Sequence, residues 1–146
     1  MKISAKGLYS LKMMIDLAER SSEGYVSLRD IAERQGISKK YLEQVASNLG
    51  RAGLLLTNRG SQGGYKLAQP ADKCTIWYIL SITESGIATS VELQEIGGKK
   101  NRQNSDVIFN CISNGLKKVI TDYLNNITLQ DILDRKHEQE THDYYI

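Results

Sequence analysis

The chain has 146 residues and a mass of 16.4 kDa, with hydrophobic residues at 40%, charged residues at 25% and a single proline. These values suit one ordered, mostly helical unit and exclude a two-lobed enzyme, a low-complexity tract or a repeat array. The net charge of +2 is unevenly divided: residues 1–67 carry 11 Lys+Arg against 6 Asp+Glu, a net of +5, whereas residues 68–146 carry 8 against 11, a net of −3, so the amino-terminal half is the one suited to a polyanion.

Ser4 is placed to cap a first helix in which Leu8, Leu11, Met14, Ile15, Leu17 and Ala18 recur mostly at intervals of three and four, ending near Arg20. Ser27, with Asp30 three places on, starts a short second helix carrying Leu28, Ile31 and Ala32, and Gly36 stops it. Ser38 caps a third, with Tyr41, Leu42, Val45, Ala46 and Leu49 as its inner face and Gly50 and Gly53 at its close. Two helices joined through Gln35-Gly36-Ile37 have the order of a helix-turn-helix, whose second helix enters a DNA major groove. Burial of the apolar stripe leaves Lys39, Lys40, Glu43, Gln44 and Asn48 facing outward, and the positions from Ser38 to Gln44 would meet base edges and phosphates. For any one helix, a polar face in water is the plainer reading, so the flanking segments decide.

Ala52 to Leu56 and Tyr65 to Leu67 read as two strands joined by the Gly60 to Gly64 segment, a hairpin placed as a wing directly after the third helix. A nucleotide-binding loop would need Gly-x-x-x-x-Gly-Lys-Ser/Thr, or Gly-x-Gly-x-x-Gly opening a helix, and neither is present. Arg59, beside Gly60, carries the planar cation suited to a narrow minor groove or a phosphate, and the glycine lets the backbone approach closely.

Thr75 to Glu84 reads as a linking helix, and Ser105 to Asn126 as a long one with Ile108, Ile112, Leu116, Val119, Tyr123 and Ile127 at intervals of four and three, widened by Val107, Cys111, Ile120 and Leu124. Such a helix, about 33 Å long, is too apolar to stand alone: it lies across its own domain or pairs with a partner chain. Thr128 to Arg135 reads as a short closing helix and His137 to Ile146 as a polar tail, in which His137 and His142 are not spaced to share a helical face. Cys111, on the apolar stripe, is expected to be a small core residue. Cys74 precedes a helix start beside Lys73, where a thiolate would be stabilised, so a redox role stands beside plain packing. No apolar run reaches bilayer length and Met1-Lys2-Ile3-Ser4 is not followed by a signal-peptide core, so a cytoplasmic protein with no membrane partner is expected. No nucleophile with a base, carboxylate pair or metal-ligand set is visible, and an enzyme is not expected.

Taken in order, Met1-Lys2-Ile3-Ser4, Lys6-Gly7 and Tyr9, then Tyr41-Leu42-Glu43-Gln44, then Ala52-Gly53-Leu54, Arg59-Gly60, Gly63-Gly64-Tyr65 and Leu67 resemble the Rrf-two family of bacterial winged-helix transcription regulators. The resemblance implies a mainly α fold with a small β-hairpin: a winged helix-turn-helix over residues 1–70, a linking helix and loop over 71–104, and a dimerisation helix with a tail over 105–146. It implies a homodimer on an imperfect palindrome of double-stranded DNA, with Ser38, Lys39, Lys40, Tyr41 and Gln44 in the recognition helix, Arg59 and Gly60 in the wing, and Ser4 and Lys6 near the DNA backbone. Tyr9 is expected to pack in the core. Members that sense iron, redox state or nitric oxide carry three cysteines before the long helix, whereas residues 86–104 here contain none, so no cofactor is expected. The cluster-less, CymR-like subgroup is then the nearest, implying a repressor of cysteine and sulfur metabolism genes with cysteine synthase as co-regulator. Two other readings use the same fold: a module that grips an acidic protein, and a metal- or redox-responsive regulator.

Overall fold

A computed structural model describes the backbone of residues 3–84 and 102–144, with side chains for 3–84 and 107–144. The elements are α1 (Ala5–Glu19), α2 (Leu28–Gln35), α3 (Lys39–Arg51), β1 (Leu55–Asn58), β2 (Gly64–Leu67), α4 (Ile76–Thr83), α5 (Arg102–Asn125) and α6 (Leu129–Tyr144), with short 3-10 turns at 21–23 and 71–73. The fold is mainly helical, with one two-stranded antiparallel hairpin in the register Leu55↔Leu67 to Asn58↔Gly64.

Four helices start as their sequence signals dictate. The side-chain oxygens of Ser4, Ser27, Ser38 and Thr75 accept from the backbone N–H three residues on, at Gly7, Asp30, Tyr41 and Tyr78, satisfying one otherwise orphaned donor each. Gly36 ends α2 at φ +63, ψ 35, a left-handed conformation that glycine adopts without steric cost, and the chain turns there into α3. The first strand starts later than the expected Ala52, because the Leu54 N–H still bonds to the Leu49 carbonyl and so belongs to the close of α3.

The core is built where these helices face one another. Met13, Met14, Ile31, Leu42, Val45, Leu49, Ile79, Leu80 and Leu129 are all fully buried in one cluster that extends from α1 to α6. Two main-chain bonds tie the chain's late segments to its middle: Ile76 N–H donates to the Ile127 carbonyl and Leu129 N–H to the Cys74 carbonyl, each at 2.9 Å. The expected polar tail from His137 is instead helix, since α6 runs on to Tyr144 with its later residues exposed.

The apolar stripe of α5 splits into two faces. Ile120 and Leu124 pack against the core, while Val107, Ile108, Ile112, Leu116, Val119 and Tyr123 lie exposed, Val107 at 68%. Cys111 is exposed with them rather than in the core as expected, because among the described residues the core covers only the inward half of the stripe. Among the described residues no helix is long and apolar enough to cross a membrane.

Candidate nucleic-acid interface

The exposed face of α3 follows from its capping and its core contacts. Ser38 sets the start, its Oγ accepting from Tyr41 N–H at 3.2 Å, and Leu42, Val45, Ala46 and Leu49 anchor the inner side. That registration leaves Ser38, Lys39, Lys40, Glu43 and Gln44 exposed. Tyr41 is half-buried, its ring edge-on to Tyr9 with centroids 5.2 Å apart and planes at 89°, a favourable arrangement for aromatic quadrupoles. Tyr9 packs against the core, as expected.

Lys6, from the first turn of α1, comes to the same side as Lys40 and Gln44, and with Ser47, Asn48 and Arg51 they border an open groove of about 520 Å³. Arg51 is exposed and its Nη2 donates to Ser47 Oγ at 3.0 Å. Ser47 and Arg51 join the expected residues here, and the only signal for them in the sequence is spacing, since positions 40, 44, 47 and 51 fall on one helical face. Ser4, expected near the DNA backbone, has its N–H and its hydroxyl both donating to Glu84 Oε1, at 2.8 and 2.5 Å.

The wing stands on the body through main chain. Val26 and Tyr65 exchange two N–H···O bonds of 2.8 Å, and Lys66 Nζ lies 4.8 Å from the centre of the Tyr25 ring. At the tip Arg59 and Gly60 are exposed, Gly60 with φ +118, and Gly63 N–H donates to the Gly60 carbonyl at 3.0 Å. A Cβ on Gly63 would stand 2.3 Å from the Asn58 carbonyl oxygen, so the tip closes this tightly only with glycine there. Arg59 is thus held out on a compact turn, away from the core.

An ion pair between a buried carboxylate and a partly exposed guanidinium fixes the geometry between α1 and the turn. Asp16 is 0% exposed; its carboxylate accepts from Arg34 Nε at 3.1 Å and Nη2 at 2.8 Å and from Gln35 Nε2 at 2.9 Å, with Arg20 Nη1 at 3.6 Å. Burial pushes the Asp16 carboxyl upward, but the hydrogen bonds from Arg34 and Gln35 and the charges of Arg34 and Arg20 outweigh it and hold it below the ordinary carboxylate range. Arg34 and Gln35 are the last two residues of α2, so this clamp sits directly before the Gly36 turn.

The thiols are apart in character. Cys74 is 1% exposed, and burial, helped by the charge of Asp72, pushes its thiol up, the reverse of what a reactive thiolate needs. The helix start that might have stabilised a thiolate there gives its first N–H groups to Ile127 and Thr75 instead. An iron-sulfur cluster takes several thiolates from one neighbourhood, and one core thiol plus one exposed thiol on α5 do not make such a set. Among the described residues no group of three or more His, Cys, Asp or Glu side chains is placed to hold a metal ion.

Residues 3–135 match the family profile described as Rrf2, an iron-dependent transcriptional regulator. The chain belongs to the Rrf2 family. It is similar to the HTH-type transcriptional regulator IscR of Pectobacterium carotovorum, at 38% identity over 93% of this chain and 81% of that one. It is similar also to IscR of Escherichia coli K12, at 37% identity over 98% of this chain and 90% of that one. Among solved structures it resembles CymR, the global cysteine regulator of B. subtilis, with a TM-score of 0.75, 31% identity, and 92% and 98% of the two chains covered. The T. potens IscR structure matches with a TM-score of 0.73 and 36% identity over 95% and 90%. Like its Rrf2 relatives, the chain is a DNA-binding transcription regulator of the winged-helix fold and not an enzyme.

Proposed function

We propose that the protein is a cytoplasmic, homodimeric, sequence-specific repressor that binds an imperfect palindrome, with α3 in the major groove and the wing in the minor groove. The observation that carries this reading is the exposure, on one unit, of Lys39, Lys40 and Gln44 along α3 and of Arg59 at the wing tip, beside Lys6 and Arg51. Lys and Arg there neutralise phosphates, Gln44 offers both a donor and an acceptor to base edges, and Arg59 suits a narrow minor groove. Ser38 keeps its hydroxyl proton for a phosphate, since its oxygen is an acceptor in the cap.

The homodimer is supported by the outward face of α5. Ile108, Ile112, Leu116, Val119 and Tyr123 form a row of exposed apolar residues along a helix of 24 residues, about 36 Å long. To read a palindrome, two copies paired through this row must present their recognition helices about one DNA turn, roughly 34 Å, apart. The linking helix and the amino-terminal wing unit then act as the DNA-reading part, and α5 with α6 as the pairing part.

We infer further that regulation proceeds without an iron-sulfur cluster, which the distribution of the two thiols supports. The likeness to CymR favours genes of cysteine and sulfur metabolism as targets and cysteine synthase as a co-regulator. The deciding experiment is retention of sheared genomic DNA followed by sequencing and titration of the retained fragment against salt. An enriched palindrome, a steep fall of affinity with salt, and a slope reduced by about one in Arg59→Ala and in Lys39→Ala are expected. Salt-insensitive affinity, or retention of an acidic protein and no DNA, would refute the reading.

A further inference from the structure

Glu84, at the carboxyl end of α4, lies 80 positions from Ser4 in sequence, yet its Oε1 accepts from both Ser4 N–H and Ser4 Oγ. Ser4 Oγ in turn accepts from Gly7 N–H at 3.1 Å, so carboxylate, hydroxyl and helix N–H form one chain of bonds. A Cβ on Gly7 would stand 2.1 Å from the same Glu84 oxygen. Glycine at position 7 is therefore what admits the carboxylate to the first turn of α1. The position is electrostatically favourable, because the unpaired N–H groups at the start of a helix carry partial positive charge.

This contact fastens the end of α4 to a turn that would otherwise be free to fray. The same turn carries Lys6, whose carbonyl accepts from the buried Ser10 hydroxyl at 2.8 Å, and whose side chain borders the groove along α3 beside Lys40, Gln44 and Arg51. We propose that Glu84 is a positioning residue for DNA binding: its carboxylate locks the first turn of α1 and so sets Lys6 against the phosphate backbone that α3 engages. The proposal rests on the DNA-binding mode proposed above. Glu84 itself touches no nucleic acid; it acts through Ser4 and Gly7, limiting the conformational freedom that Lys6 loses on binding.

The test is a double-mutant cycle on the retained genomic fragment, with affinity and salt slope measured for the full-length protein and for Lys6→Ala, Glu84→Ala, Glu84→Gln and the Lys6→Ala/Glu84→Ala pair. Lys6→Ala should weaken binding roughly 5- to 10-fold and lower the slope by about one, the signature of one lost phosphate contact. Glu84→Ala should weaken binding in the same direction, by roughly 3- to 10-fold, and the double variant should bind no more than about twofold more weakly than Lys6→Ala alone, because both remove one contact. Glu84→Gln should stay near the parent, since an amide oxygen accepts the same two bonds. Losses that multiply in the double variant, parental binding by Glu84→Ala, or a Glu84→Gln as weak as Glu84→Ala would each overturn the proposal. Should Glu84→Ala fail to fold, Ser4→Ala cuts the hydroxyl link while the N–H link remains, so a smaller loss that does not multiply with that of Lys6→Ala is expected, and losses that multiply would overturn the proposal. Weakened Lys39→Ala and Arg59→Ala beside an unaffected Glu84→Ala sinks the positioning role only; parental affinity in Lys39→Ala and Arg59→Ala sinks the DNA-binding mode itself.

Discussion

Replacing Arg34 with alanine tests the clamp before the helix-turn-helix turn. The change removes two charge-assisted hydrogen bonds, of 3.1 and 2.8 Å, from a carboxylate with no solvent access. Leaving a buried polar group without its partner costs about 1–3 kcal/mol, and more for a charged one; with Arg34 itself partly exposed and Asp16 keeping Gln35 at 2.9 Å and Arg20 at 3.6 Å, about 3 kcal/mol at pH 7 is expected. That should lower Tm by about 6–12 °C for a chain of this size. In the parent, the depressed Asp16 carboxyl contributes stability above its unfolded value of about 3.9, and this is lost as pH falls through the lower folded value. Without Arg34 the effect of burial is opposed only by Gln35 and Arg20, so the carboxyl moves upward and the variant's deficit shrinks as pH approaches 4. Adding Asp16→Asn to Arg34→Ala removes the stranded charge and should recover part of the loss. Urea melts followed by circular dichroism at matched protein concentration, from pH 4 to 7, read all of this. A loss below about 0.5 kcal/mol at pH 7, or one unchanged across that range, would refute the reasoning.

Leu129→Ala, at a fully buried position on α6, should cost about 2–5 kcal/mol in the same melts, and a near-neutral result would mean that α6 does not share the core. Gly36→Ala, at φ +63 with open space around its Cβ, should cost about 1 kcal/mol through backbone strain alone; a neutral result would remove the left-handed turn. Cys74 should react with a thiol reagent only on unfolding, so labelling of the native protein that goes to completion at both cysteines would contradict its buried, upshifted thiol. Ile112→Asp should shift sedimentation to the monomer while far-ultraviolet dichroism is retained, and an unchanged sedimentation coefficient would remove α5 as the pairing surface.

Local chemistry was legible and distant chemistry was not. Caps at Ser4, Ser27 and Ser38 and the stop at Gly36 act within one turn, so their residue types announce them. The burial of Asp16 could not be read, because its partner lies 18 residues away and a carboxylate in a helix ordinarily marks a wet face. Nor could the Glu84 contact, made across 80 positions. Periodicity located the α5 stripe but could not divide it between its own core and an outer face, which is why Cys111 was misplaced. It was silent over residues 136–144, where α6 is exposed all round and no apolar side chain repeats. At the interface, Lys39, Lys40 and Gln44 were foreseen as outward-facing, while Arg51 lies a further two turns beyond Gln44, outside the first turns where groove contacts are sought.

The two bonds joining Cys74 and Ile76 to Ile127 and Leu129 are made wholly of main chain. Drift in side chains therefore leaves this joint intact, and only a proline at 76 or 129 deletes a donor. The joint between the start of α4 and the start of α6 is in that sense a matter of shape rather than of spelling, set by backbone geometry and open to many side chains.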